Sequence, residues 1–251
     1  MSKLIAAPRR AHGLDLLAET GLLECIIPEA LPMIGCEQPP EWHPEGDVYT
    51  HTRIMLELLP PDAPLELCLA VVLHDIGKPP TSTGDEEAAR IRFNGHDRVG
   101  AQMSEAILKR LRYPNSVVEA VVSMVARHMQ FMNVQRMRTA KLKRFMAASG
   151  FDLEMELHRV DCASSNGFTD NYEFLQAKRA EFSAEPLIPP PLVTGRDLIA
   201  LGLAPGPRFK DLLEAVETEQ LEGRLQVRDQ ALAFLRNLVE AQDSPMDSQL
   251  G

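Results

Sequence analysis

The stretch Leu65–Ile76 most limits what this chain can become. It is apolar almost all the way round a helix, broken only by Glu66 and by the terminal pair His74-Asp75. A helix without a polar face has to be enclosed by other elements. Pro64 supplies a first-turn start and Gly77 a stop, followed by Lys78-Pro79-Pro80. The 251 residues suffice for one large domain or two small ones around it. Composition favours helices as the wrapping: 45% of residues are hydrophobic but only 5% aromatic, so the core is built from Leu, Ala, Val, Ile and Met.

Along its length the chain reads as all-α. An amphipathic helix is expected over Ala11–Leu23, ending near Gly21, then an irregular loop over Pro28–Pro44. Asp47 reads as the N-cap of a helix to Leu59, whose stripe of Val48, Met55 and Leu59 also carries His51. Thr81–Ala89 reads as an exposed loop. Helices are expected over His96–Leu111, from Asn115 with His128 continuing the face of Val117 to Val125, and over Thr139–Ala148, Asp152–Ser165 and Asn171–Phe182. The proline-rich run Ala184–Leu192 reads as a linker. Beyond it Thr194 caps a short helix, Phe209–Leu221 and Val227–Ala241 form two more, and residues 242–251 read as a disordered tail.

Six residues that metals favour interrupt the pattern: His51, His74, Asp75, His96, His128 and Asp161. His51 or His128 taken alone reads as a core histidine with one hydrogen bond. Asp161 shares a face with Leu153, Leu157 and Val160, where an unpaired carboxylate costs several kcal/mol, so its plain explanation is a salt bridge to Arg159 or Arg127. His96 reads equally as a surface residue at a helix start and as a ligand or phosphate contact. Together, imidazoles and carboxylates on the inward sides of successive helices call for a common partner, and a divalent cation is the simplest. Lys78, four residues after His74, reads as a solvated lysine or as an ammonium that holds a substrate phosphate. His12 and His158 read as surface residues and His43 as a loop residue. Arg136, Arg138, Lys141, Lys143 and Arg144 place five positive charges within nine residues, either a solvated helix face or an RNA-phosphate patch.

The ordered set His51, His74-Asp75 and Asp161, with Leu73-His74-Asp75-Ile76-Gly77-Lys78 at its centre, resembles the HD superfamily of metal-dependent phosphohydrolases. Arg9 to Leu14, Glu19 to Leu23, His43 to Asp47 and Thr50-His51-Thr52 resemble the neck end and HD-domain start of bacterial CCA-adding enzymes and poly(A) polymerase-like proteins. Arg92 to Asp97, Leu157 to Cys162, Thr194 to Leu198 and Pro205-Gly206-Pro207 continue the likeness across residues 8 to 241. The resemblance implies an all-α HD-domain helical bundle with a helical C-terminal module. Its parts would be a neck-like lead-in over 1–35, the HD domain over 36–183, the C-terminal module over 184–241 and the tail.

It also implies one or two divalent ions (Ni, Mn, Co, Fe, Zn or Mg). His51, His74, Asp75 and Asp161 would hold the first, with Asp75 bridging to a second on His96 and His128. Asp75 and Lys78 would be catalytic, and Arg92 would help to steady a phosphate. The implied reaction is hydrolysis of nucleotide, 2′,3′-cyclic nucleotide or RNA-end phosphates. Nothing here resembles the nucleotide-adding head of those enzymes, so nucleotidyl transfer is not expected from this chain alone. The alternative is a non-catalytic tRNA-binding body and tail for a separate nucleotidyltransferase head. A third reading is a pocket that only senses a nucleotide.

Net charge is −10 with a pI near 5.2, which argues against non-specific nucleic-acid binding and leaves any RNA contact to a local patch. Cys25, Cys36, Cys68 and Cys162 form no C-x-x-C pair and read as reduced thiols. With no signal-peptide pattern over Met1–Ala7 and no membrane-length apolar run, a cytoplasmic protein without membrane partners is expected.

Overall fold

The structure, a computed structural model, describes residues 1–85 and 90–243. Its elements are α1 (Ser2–Ile5), α2 (Arg10–Glu19), α3 (Leu22–Ile26), α4 (Val48–Leu58), α5 (Leu65–Leu73), α6 (Lys78–Thr81), β1 (Ser82–Asp85), β2 (Arg90–Phe93), α7 (His96–Arg110), α8 (Asn115–Arg127), α9 (Thr139–Met146), α10 (Phe151–Ser164), α11 (Asp170–Glu181), α12 (Gly195–Ala200), α13 (Pro207–Leu221) and α14 (Arg228–Asp243). Short 3₁₀ segments cover Pro28–Met33, His128–Arg136 and Phe182–Ala184. No helix among the described residues is long and apolar enough to cross a membrane.

The all-α reading holds, with local corrections. The expected helix Ala11–Leu23 is two helices, because Gly21 takes a left-handed φ of 73° that ends α2 and starts α3. The loop after Pro28 contains a 3₁₀ turn through Met33. The expected loop Thr81–Ala89 is part of an antiparallel hairpin, β1 pairing with β2 from Ser82–Phe93 to Asp85–Arg90, and its residues 86–89 lie outside the described residues. The strands were hidden because Ser82-Thr83-Gly84-Asp85 has no apolar alternation. Residues 244–251 of the expected tail also lie outside the described residues, while residues 242 and 243 finish α14.

The chain divides into two units. The first comprises Met1–Gln135 and Ser149–Ala177; the second comprises Arg136–Ala148 and the residues from Lys178 on. In the first, α5 is the central element: Leu67 to Leu73 are all buried, and α1, α4, α8 and α10 pack around it. The Asp47 carboxylate caps α4, with Oδ1 accepting from the Thr50 amide at 2.7 Å and Oδ2 from the Gly35 amide at 2.5 Å. The corner between α4 and α5 is held by buried Arg10, which donates to the carbonyls of Pro60 at 2.9 Å and Pro61 at 2.8 Å.

After α5 the chain turns through His74–Gly77 and meets the start of α7 backbone to backbone. A Cβ at Gly77 would stand 2.2 Å from the His96 carbonyl oxygen and 2.6 Å from the Gly100 nitrogen. Gly77 has φ −81°, so its glycine serves close approach rather than an unusual dihedral. This contact sets His74-Asp75 beside His96.

The second unit has its own core of Val193, Leu198, Leu212, Val216, Leu225, Ala231 and Leu235. Thr194 and Asp197 form a capping box on α12, and Asp197 is ion-paired with Arg228. On α9, Arg144 donates to Glu217 and Thr218 of α13, and the Ala140 amide donates to Glu222.

Candidate metal centre

Three imidazoles in the first unit are aimed by the same local device. Nδ1 of His74 lies 2.9 Å from the Val71 carbonyl oxygen, Nδ1 of His96 lies 2.8 Å from that of Phe93, and Nδ1 of His128 lies 2.7 Å from that of Val125. Each acceptor is three residues back. Val71 and Val125 belong to the last turns of α5 and α8, whose carbonyls lack a full set of intrahelical donors. A carbonyl can only accept, so each Nδ1 carries a proton and each Nε2 is the ring atom turned to the interior.

Two of those ring nitrogens meet. His96 Nε2 and His128 Nε2 are 3.1 Å apart. Burial pushes the His128 pKa down to about 4, so that ring is neutral near pH 7. Two ring nitrogens at this distance must share either a proton or a cation. His74 Nε2 and His51 Nε2 are likewise buried without hydrogen-bond partners, although carboxylate oxygens of Asp75 and Asp161 each stand 3.1 Å away. Orphaned imidazole nitrogens beside carboxylates form a donor set that suits a divalent ion.

Asp75 stands at the middle. Its Oδ2 lies 3.1 Å from His74 Nε2 and 2.7 Å from Lys78 Nζ, and its Oδ1 lies 3.4 Å from His96 Nε2 and 3.8 Å from His128 Nε2. Burial pushes this carboxyl up, but the positive charge of its neighbours, His74 and Lys78 foremost, holds it well below the usual carboxylate range. Three groups of ligand atoms could each hold a metal: His51, His74 and Asp161; Asp75, His96 and His128; and His43, Glu45 and His51.

His51 comes from the buried stripe of α4. Its Nδ1 lies 2.6 Å from Glu45 Oε1, in a histidine–carboxylate pair of the kind that orients metal-bound imidazoles. Burial lowers the His51 pKa, but the Asp161 and Glu45 carboxylates outweigh it and raise the value to about 9. Burial likewise pushes the Asp161 carboxyl up, and His51 overrides this to hold it well below its ordinary value. Asp161, on α10, keeps 28% of its side chain open toward the cavity. Its expected salt bridge to Arg159 or Arg127 is corrected: Arg159 pairs with Glu156, and Arg127 with Glu154.

The centre opens into a cavity of about 690 Å³ whose lining includes Asp75, Lys78, Arg92, His96, His128 and Asp161. Lys78 is not the solvated lysine of the plain reading. It is buried, and its Nζ is held by Asp75 and by Gln38 Oε1 at 2.7 Å. Arg92 is exposed on β2 at the cavity wall. His158, expected on the surface, is buried in the lining and stacked on Phe131 with ring centroids 4.8 Å apart. Burial pushes the nearby Cys162 thiol up to about 12, so it is protonated at neutral pH and a poor metal ligand.

Sequence reasoning missed Glu45 and Gln38. Both lie in the stretch before α4, where no period marks an inward residue; only the position of Glu45 six residues before His51 hinted at it. His43, expected as a plain loop residue, also contacts Glu45 at 2.9 Å. The basic run lies apart from these residues in sequence and belongs to the second unit. There Arg136, Arg138 and Lys141 are exposed, Lys143 lies over the Phe182 ring, and Arg144 is engaged by Glu217.

A helical bundle with a buried histidine–aspartate cluster at its centre defines the class, and residues 47–159 match the HD domain family. The chain carries an HD domain. It is similar, at 36% identity over 94% of its length, to a CC-adding tRNA nucleotidyltransferase of Thermus thermophilus, of which the match covers 54%. An A-adding tRNA nucleotidyltransferase of Deinococcus radiodurans is 32% identical over 94% of this chain and 56% of its own. A multifunctional CCA protein of Halorhodospira halophila is 31% identical over 61% of this chain and 35% of its own. The chain spans about half the length of the first two curated relatives.

Proposed function

We propose that this chain is a metal-dependent phosphohydrolase acting on nucleotide, 2′,3′-cyclic nucleotide or RNA-end phosphates. The observation that carries the reading is the pair of facing nitrogens of His96 and His128, with Asp75 beside them and the orphaned nitrogens of His51 and His74 next to it. On this reading His51, His74, Asp75 and Asp161 would hold one ion, and His96, His128 and Asp75 would hold a second. A divalent ion so placed supplies Lewis-acid polarisation of the phosphoryl group and activates the attacking water.

The chain's own residues do the rest. Glu45 fixes the His51 ring. Lys78 fixes the Asp75 carboxylate from one side and keeps positive charge at the cavity floor, where a phosphate would come to rest. Arg92 stands at the wall to steady the same phosphate.

Metal removal tests this. Chelator-treated protein should lose hydrolysis of a chromogenic phosphodiester, and Mn, Co, Ni or Zn should restore it with one or two ions retained per chain by elemental analysis. Full turnover in the stripped protein, or none with any ion, would sink the reading.

A second reading is favoured by the likeness to tRNA nucleotidyltransferases, which runs past the HD domain, and by the exposed cations of the second unit. On it the chain binds tRNA for a separate head, and tRNA is the RNA partner. Arg136→Glu, Arg138→Glu and Lys141→Glu combined should weaken tRNA retention at low salt by at least about tenfold in a gel-shift titration. Equal retention by the triple variant and the parent would remove it.

A further inference from the structure

We infer that the cavity reads a nucleobase as well as a phosphate, and that Trp42 and Phe168 are the side chains that hold the base. This rests on the phosphohydrolase reading and names the part of the substrate that the chemistry at the floor leaves unspecified.

Large apolar side chains exposed to solvent are few among the described residues, and four of them, Trp42, Met129, Met132 and Phe168, line this one cavity. Trp42 and Phe168 are the two aromatic members of that exposed set, at 54% and 61% exposure. They come from separate loops, Trp42 from the stretch before α4 and Phe168 from the turn between α10 and α11. Neither is needed for the core, and aromatic faces left open at a cavity mouth mark a binding surface rather than a packing residue.

The cavity is charged at its floor, and its exposed lining sets the apolar Trp42, Met129, Met132 and Phe168 among the polar Arg92, Asn94, Gln135 and Asp170. The floor holds the histidine–aspartate cluster and Lys78, and a lone phosphate would fill only a small part of about 690 Å³. That volume falls in the range of sites that take whole organic ligands. A ligand that satisfies both ends has an anionic group joined to a flat, stackable one: a nucleoside phosphate, either free or at the end of an RNA chain. Flat bases stack on aromatic side chains whatever their sequence. Met129 and Met132 add polarisable surface that adapts to different bases, and the amides of Asn94 and Asn166 in the lining offer donors and acceptors for base edges.

Trp42 is the single tryptophan of the chain, so intrinsic fluorescence reports on it directly. The metal-loaded chain is titrated with a nucleoside monophosphate, with a trinucleotide ending in the same base and phosphate, and with ribose 5-phosphate, which carries the phosphate without a base. The nucleotide should quench Trp42 emission and bind about tenfold tighter than ribose 5-phosphate, and Phe168→Ala should remove most of that advantage. Phe168→Leu, which keeps bulk without an aromatic face, separates stacking from simple space-filling by losing nearly as much. Tighter binding of the trinucleotide than of the mononucleotide assigns the site to RNA ends, and the reverse to free nucleotides.

Equal binding of nucleotide and ribose 5-phosphate, or no effect of either Phe168 variant, overturns the inference even when hydrolysis is intact. Nucleotide binding with the expected quench but without metal-dependent turnover upholds it and removes the hydrolase reading instead.

Discussion

Asp75→Asn should lower metal-stimulated phosphodiester hydrolysis by about a thousandfold while leaving the helical signal of the protein intact. Among the described residues Asp75 is the carboxylate with an oxygen turned toward each of two ligand groups, Oδ2 to His74 and Oδ1 to His96 and His128. Asparagine keeps the shape and a polar atom at each position but removes the charge. It therefore weakens both proposed ion sites at once, whereas a change at His51 or His96 reaches only one. The same substitution leaves the buried Lys78 ammonium with Gln38 as its remaining partner, so the unfolding midpoint should be measured alongside the kinetics. A folded Asp75→Asn protein with parental kcat/KM and parental metal content would refute the bridging role.

Gly77→Ala should produce the largest loss of stability from a single methyl group. The new Cβ would fall 2.2 Å from the His96 carbonyl oxygen and 2.6 Å from the Gly100 nitrogen, and both obstacles are backbone. A side chain could swing aside; a helix start cannot. We expect a cost of about 4 kcal/mol, which for a domain of this size lowers the melting temperature by about 10 °C. The start of α7 must shift to make room, and His96 shifts with it. The variant should therefore retain less metal even at temperatures where it remains folded. Gly21→Ala serves as the contrast: its φ of 73° strains an alanine, but no atom lies within 4 Å of the added Cβ, so the effect is smaller and leaves metal retention unchanged.

The inward residues could be read from sequence because a polar residue on an apolar helical face is a violation that needs a cause. His51 on the stripe of α4 and His74-Asp75 at the end of α5 are examples, and the structure brings them together. Glu45 and Gln38 could not be read in the same way. They come from a stretch without a period, and their partners His51 and Lys78 lie on other elements. His158 was misplaced because the face read from Leu153, Leu157 and Val160 leaves it to one side, whereas the buried side of α10 also takes in Phe151, Glu154 and Met155. The basic run was visible as charge, but the capture of Arg144 by Glu217, 73 residues later, was not. Gly77 was expected to stop the helix from Leu65, but α5 ends at Leu73 and Gly77 leads into α6; its role depends on a neighbour that sequence alone does not place.

The three imidazoles that lean on carbonyls three residues back carry a consequence for how this pocket can change over time. Each takes its aim from its own segment, so no distant residue has to be preserved to keep it pointing inward. The turn that presents Phe168 can be rewritten or lengthened without disturbing that aim, whereas the stretch that presents Trp42 also carries Gln38 and Glu45, which hold Lys78 and His51. The Phe168 side of the cavity is thus free to drift while the buried cluster stays fixed, and the Trp42 side is tied to it.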